Sequence, residues 1–395
     1  MRNQGVGSWT ARRARMSPDK VAVCYEDREW TYRDLHERTT RLAHALAGLG
    51  VGHGDRVAYL GPNHPTFLEM LFATGMLGGV FVPLNWRLAA PELADVVADS
   101  GARVLIHAPA QAEVAAHLPV RAVDVGEEYE RRLAAAPAQP IDEPVGPDET
   151  CIILYTSGTT GRPKGAMLTH ANIAWNSFNL LLDVDLSADE VTLVTAPMFH
   201  VAALNQTALP TLLKGGTLIL VPAFDPEQAL ALIARHGVTY LFGVPTMFLA
   251  MCRAPSWATA DLSSVRSAIC GGAPVPEAVI APYQERGVTF MQGYGLTEAA
   301  PGVLFLRRDQ SVRRAGSAGT PAFFTDVRLV RPDGTDAAVG EPGEILVQGP
   351  TSWSGTGAGP RTPRRCSRPT AGCAPATSGW STPRATSPSV TAPRT

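Results

Sequence analysis

Along most of this chain, short continuous apolar runs take turns with stretches whose apolar residues recur every three or four positions. WTYRDLHERTTRLAHALAGLG (30–50) sets Leu35, Leu42, Ala45 and Leu46 at helical spacing and closes at Gly48 and Gly50, good helix stops. DRVAYLG (55–61) reads as a strand. HPTFLEMLFATGMLGGVFVPL predicts a helix, a break at Gly78 and Gly79, and another strand. ELADVVADSGARVLI repeats helix, turn, strand. The rhythm resumes at NIAWNSFNLLLDV, GGTLILV, EQALALIARHGVTYLFGVP and PEAVIAPYQERGVTFMQGY. Strands alternating with helices of 10–15 residues predict an α/β fold, a mostly parallel sheet covered by helices. After about residue 315 the texture changes. FFTDVRLVRPDGTDAAVGEPGEILVQG is short strands joined by PDG and GEPG turns, which predicts a small β-rich subdomain. The expected organisation is a first α/β lobe over 1–165, a second over 166–315, an incomplete β subdomain over 316–350, and a tail over 351–395.

The pattern stops at Pro350. The last 45 residues contain seven prolines and six arginines, with no Lys, Asp, Glu, Leu, Ile, Phe or Tyr. Such a composition cannot form a core and predicts disorder.

Bulk properties narrow the picture further. The 395 residues carry a formal charge of -2, and the tail's arginines leave -8 on the first 350. An acidic body argues against a nucleic-acid partner. Six cysteines, at 24, 151, 252, 270, 366 and 373, include no C-x-x-C pair, so neither a zinc site nor a disulfide framework is suggested. No apolar stretch approaches the ~20 residues of a membrane helix. A soluble cytoplasmic protein without an integral membrane segment is expected. Oligomeric state is not legible.

The sharpest chemical signal is YTSGTTGRPKG, Tyr155 to Gly165, after the apolar run CIILY. Glycines permit tight turns that expose successive N–H groups. Thr156, Ser157, Thr159 and Thr160 add hydroxyls between Gly158 and Gly161, and Lys164 adds a point charge. The chemistry suits a polyphosphate, although the spacing is not that of a Walker A loop.

With PMFHVAA (197–203), GGAPVP (271–276), MQGYGLTE (291–298) and AGSAGTP (315–321), this loop completes a set of five motifs. In that order the chain resembles the adenylate-forming superfamily of acyl-CoA synthetases, aryl-CoA ligases, luciferases and peptide-synthetase adenylation domains. The resemblance runs to about Pro350 and is nearest to bacterial fatty-acyl-CoA synthetases. It implies the two-lobed N-terminal domain of that fold, with the mobile C-terminal domain absent. ATP and Mg²⁺ would be used, with coenzyme A as co-substrate and a small-molecule carboxylic acid as partner.

The resemblance also implies roles for individual residues. Thr156, Ser157, Gly158, Thr159, Thr160 and Lys164 would handle the β- and γ-phosphates of ATP. Thr297 would hold the AMP phosphate and Glu298 the magnesium. Gly271, Gly272, Ala273 and Pro274 would lie under the adenine, with Tyr294 and Gly295 on its other side. His200, as family members place that position, would line the acyl channel near the carboxylate. A general base is not needed there, because a carboxylic acid is already ionised near neutral pH.

The channel candidates are His200, Val201, Phe242, Gly243, Gly271, Met291 and Gly295. None is charged, so an apolar tail is expected; a second carboxylate would need a buried cation. An amino-acid substrate is disfavoured, since amino-acid adenylation domains carry an aspartate where this chain has His200. A medium- or long-chain fatty acid is the first reading and a cinnamate-like aryl acid the second. An acyl-AMP ligase delivering to a carrier-protein thiol, and a non-enzymatic fragment, are further alternatives.

The tail has its own expectation. Read two bases later, codons compatible with TSWSGTGAGP can encode Val-Met-Val-Gly-Tyr-Trp-Gly-Arg-Pro, with Trp353 supplying the methionine codon. Further on, the shifted frame accommodates the family's TGD and DR motifs. A single-base shift just after Pro350 is therefore expected, and with it loss of activity in the chain as written.

Overall fold

The computed structural model describes residues 2–156, 163–352 and 356–357. Two large sheets dominate. One has seven strands, with Arg56–Leu60 near its centre, parallel to Val80–Leu84 and Val104–His107. Arg121–Asp124 and Thr150–Thr156 extend it in parallel on either side, and Lys164–Thr169 and Thr356–Gly357 close it antiparallel. The other has nine strands. Its parallel centre runs through Val21–Tyr25, Thr217–Leu220, Val191–Val194, Tyr240–Gly243, Ser267–Cys270 and Thr289–Gly295. Antiparallel strands flank it: Arg28–Thr31 at one edge, Gly302–Phe305 and Thr320–Pro321 at the other. A separate antiparallel pair, Asp326–Val330 with Glu344–Gln348, forms the small β unit.

Local sequence explains the helices. Tyr32–Gly48 starts at Thr31, whose side chain accepts from the Asp34 N–H while the Asp34 carboxylate accepts from the Thr31 N–H, a reciprocal cap. Pro65–Met76 is buried on every side, as a predominantly apolar helix between layers must be. Gly101 and Gly237 end their helices at φ of 61° and 60°, a left-handed conformation that glycine adopts without steric cost.

A continuous core joins the two sheets. Phe67, Leu71 and Phe72 of the buried helix meet Val57 and Phe81 of the first sheet, and Val194 and Leu218 of the second belong to the same cluster. Burial of large apolar side chains is worth roughly 1.5–3 kcal/mol each.

Two boundaries differ from the sequence reading. The sheets do not divide the chain at residue 165: the Val21–Thr31 hairpin belongs to the second sheet and Lys164–Thr169 to the first. Hydrophobic rhythm reports that strands exist, not which sheet takes them. Nor does order stop at Pro350. Thr351 is fully buried, the Asn172 side-chain amide donates to the carbonyls of Pro350 (2.8 Å) and Ser352 (2.9 Å), and Thr356–Gly357 pairs with Gly165 and Ala166. Residues 353–355 and 358–395, the rest of the expected tail, lie outside the described residues. Among the described residues, no helix is long and apolar enough to cross a membrane.

Candidate functional site

A cavity of about 710 Å³ opens where four parallel strands of the nine-stranded sheet end: Val191–Val194, Tyr240–Gly243, Ser267–Cys270 and Thr289–Gly295. The carboxyl ends of parallel strands are where open α/β sheets hold ligands. Phe242, Val244, Met247, Ile269 and Phe305 give it apolar walls, and Gly271, Gly272, Gly293 and Gly295 keep it wide. A Cβ at Gly271 would come within 3.0 Å of the Gly293 carbonyl, so the two strand ends approach closely only because the first residue past Cys270 has no side chain.

Eight of the residues singled out in the sequence line this cavity together: His200, Val201, Phe242, Gly271, Gly272, Tyr294, Gly295 and Thr297. They come from four separated stretches, which the strand order brings to one end of the sheet. Glu298 follows Thr297 in a short 3₁₀ turn, half-buried, and its charge helps raise the Tyr294 phenol pKa, second to desolvation. His200 is exposed at the opening. Partial desolvation, and then the positive charge of Arg87, hold its imidazole below the ordinary range, so it stays neutral near pH 7.

Other predicted residues stand elsewhere. Gly243 and Met291 do not line the cavity. Met291 is 2% exposed in the core shared by Ile269 and Phe305, and the side-chain direction at Gly243 faces Phe248. A one-residue step along a strand turns a side chain to the opposite face, which an unaligned motif does not reveal. Ala273 and Pro274 are exposed, beyond the cavity rim. Thr156 and Lys164 face each other across an antiparallel ladder, the Thr156 hydroxyl 3.5 Å from the Lys164 carbonyl. The Lys164–Thr169 strand packs beside the Thr297–Ala299 turn. Ser157, Gly158, Thr159 and Thr160 lie outside the described residues.

The structure also adds residues that motif reading passed over. Trp86 and Arg87 reach the cavity from the loop after Val80–Leu84, with the Arg87 guanidinium 5.2 Å from the Trp86 ring centre and 5.9 Å from that of Phe199. The channel candidates read from sequence include no charged residue, yet Arg87 places a cation at the cavity. Gln206 enters from a turn of π-helix, Leu204–Ala208. A polar pair, Asn205 and Gln206, inside the apolar run VAALNQTALPTLL was the available signal. Among the described residues, no group of three or more His, Cys, Asp or Glu could hold a metal ion. A single carboxylate such as Glu298 suits Mg²⁺ only where phosphate oxygens supply the other positions.

Two large α/β sheets, with an apolar cavity where parallel strands of the second end, make an open α/β ligand-binding fold. The chain belongs to the AMP-binding enzyme family, which matches residues 10–355. It is 55% identical over 358 residues to a feruloyl-CoA synthase of Amycolatopsis, covering 90% of this chain and 72% of that one. It is 40% identical to an indoleacetate–CoA ligase of Aromatoleum aromaticum, covering 87% of this chain and 70% of the relative. A solved fatty acyl-CoA synthetase of Mycobacterium tuberculosis superposes with a TM-score of 0.85 at 31% identity, over 96% of this chain and 74% of the other.

Proposed function

We propose that this chain is the acid- and nucleotide-binding body of an ATP-dependent aryl-CoA ligase acting on a cinnamate-like acid through an acyl-adenylate. The observation that carries the reading is the cavity: apolar, walled by Phe242 and Phe305, and glycine-lined at 271 and 293. A flat ring fits between aromatic walls at favourable stacking or edge-to-face distances. Similarity to a feruloyl-CoA synthase and an indoleacetate–CoA ligase points the same way. The aryl acid thus displaces the fatty acid as first choice.

In this reading the acid lies in the cavity with its carboxylate toward Thr297 and the neutral His200. The carboxylate oxygen attacks the α-phosphorus of ATP, the bond to the pyrophosphate bridging oxygen breaks, and an acyl-adenylate remains. Lys164, Thr156 and the loop between them are the groups assigned to charge on the departing pyrophosphate, where electrostatic stabilisation contributes most. Tyr294, Gly271 and Gly272 border the adenylate. Magnesium, when bound, neutralises phosphate charge, and Glu298 is the carboxylate assigned to it. The thiol of coenzyme A then attacks the acyl carbon and releases AMP.

Pyrophosphate release tests the assignment. In a full-length form with the reading frame restored after Pro350, ferulate with ATP and Mg²⁺ should support release well above that with decanoate. Release with decanoate alone would return the fatty-acid reading, and none with either acid would remove the enzymatic reading.

A further inference from the structure

The stretch that brings His200 to the cavity is held by a residue outside it. Thr195, Ala196, Pro197 and His200 line the cavity, between the Val191–Val194 strand and the short helix that opens at Val201. This stretch pairs with no strand, and Pro197 has no N–H to offer. Yet Ala196 and Met198 are 8% and 0% exposed, and buried backbone groups need partners. Asn63, itself 4% exposed, provides them. Its amide nitrogen donates to the Ala196 carbonyl at 2.9 Å, and its amide oxygen accepts from the Met198 N–H at 2.8 Å. One side chain thus takes the place of a neighbouring strand and clamps the residues on either side of Pro197.

Asn63 comes from the other sheet. It lies in the loop joining Arg56–Leu60 to the buried helix Pro65–Met76, 133 and 135 residues before its two partners. That loop is itself fixed. The Tyr59 hydroxyl donates to the Pro62 carbonyl at 3.0 Å, and His64 caps the helix, its Nδ1 accepting from the Thr66 N–H at 3.2 Å. From the clamp the geometry carries on to the cavity. The His200 N–H donates to the Pro197 carbonyl at 3.1 Å, and the Phe199 and His200 rings lie 4.5 Å apart. A shift of Ala196–Met198 therefore shifts His200.

We infer that Asn63 is a positioning residue: through the backbone of Ala196 and Met198 it sets where His200 stands beside the carboxylate of the bound acid. This rests on the aryl-acid reading, which places that carboxylate at His200. In the same reading Gly271, Gly272 and Tyr294 border the nucleotide, and they stand at the ends of two other strands, Ser267–Cys270 and Thr289–Gly295. Loss of Asn63 should therefore loosen the grip on the acid and spare that on the nucleotide. Supporting residues that never touch a ligand act in this way, and a misplacement of about 1 Å can cost about a hundredfold in rate.

Asn63→Leu and Asn63→Ser both remove the clamp, the first by chemistry and the second by reach. Affinities of the 395-residue chain and both variants are measured by calorimetry for AMP and for feruloyl adenosine sulfamate, a non-reacting adenylate mimic. Thermal unfolding establishes that each variant folds. The wild type should bind the mimic more tightly than AMP. A folded variant should bind the mimic about tenfold or more weakly, with its AMP affinity close to that of the wild type. A second readout needs no ligand: proton NMR of the His200 imidazole, its signal assigned by absence in His200→Gln. Burial and Arg87 hold its pKa below the ordinary range, so in the variants it should rise toward that range as the ring gains solvent. Equal weakening of mimic and AMP would show a general structural role and overturn the inference, as would an unchanged His200 titration. A wild type that binds the mimic no better than AMP removes the acid-site reading, and the inference with it.

Discussion

Lys164 and Glu298 are the two charges on which the proposed adenylation depends. Each is assigned to charge that develops as pyrophosphate leaves, so each truncation should slow that step more than it weakens binding of the acid. Lys164→Ala and Glu298→Ala should each reduce acid-dependent pyrophosphate release by about tenfold or more, at ~1.4 kcal/mol per tenfold. Unchanged rates in both would discard the assignment. A third residue acts on stability. His170 is 2% exposed, its Nδ1 accepts from the Val6 N–H at 3.1 Å, and burial lowers its pKa to about 4. The unfolded chain, with the ordinary value near 6.5, binds a proton that the folded chain refuses. Stability should therefore fall as pH drops below about 6.5 and level off near 4, with about 2 kcal/mol lost between pH 7 and 5. Urea unfolding at the two pH values, compared with His170→Gln, measures the effect; an equal acid loss in the variant would show that other groups cause it.

The helices are tied together by one buried charge cluster. Glu69, 1% exposed in the Pro65–Met76 helix, accepts from Arg38 Nε at 2.5 Å and from the Tyr129 hydroxyl. Arg38 also donates to Glu130 at 2.7 Å, so the helices Tyr32–Gly48, Pro65–Met76 and Glu127–Ala135 share it. Removing one partner of a buried pair leaves the other charge without compensation. Arg38→Ala should cost about 3–5 kcal/mol, read as a lower denaturant midpoint; a loss below about 1 kcal/mol, the range of exposed pairs, would argue that Glu69 is not charged there. The helices themselves were legible, because apolar spacing and glycine stops are local signals. Glu69 within TFLEMLFATGM gave no such warning. Its partners lie 31 and 60 residues away, and pairing across that distance leaves no periodic trace.

For the whole molecule, the α/β class, the parallel strand centres and the late change to β turns could be read from hydrophobic rhythm. Three of the five motifs, PMFHVAA, GGAPVP and MQGYGLTE, fall at one end of the second sheet, where His200, Gly271, Tyr294 and Thr297 line one cavity. Arg87 and Gln206 were not found, since each reaches the cavity through loop and π-turn geometry that spacing does not encode. The division between sheets was missed for a related reason. Val21–Tyr25 has a strand's composition wherever it pairs, and Val23 lies beside Leu218, nearly two hundred residues later. That pairing carries a consequence for synthesis. At roughly 5–20 residues per second a ribosome needs about ten to forty seconds to deliver the partner. Until then the hairpin has only itself, and an isolated two-stranded hairpin is marginal in water. The first strand to leave the ribosome thus waits for a parallel partner made only past mid-chain, and the nascent chain must keep it from other strands in the meantime.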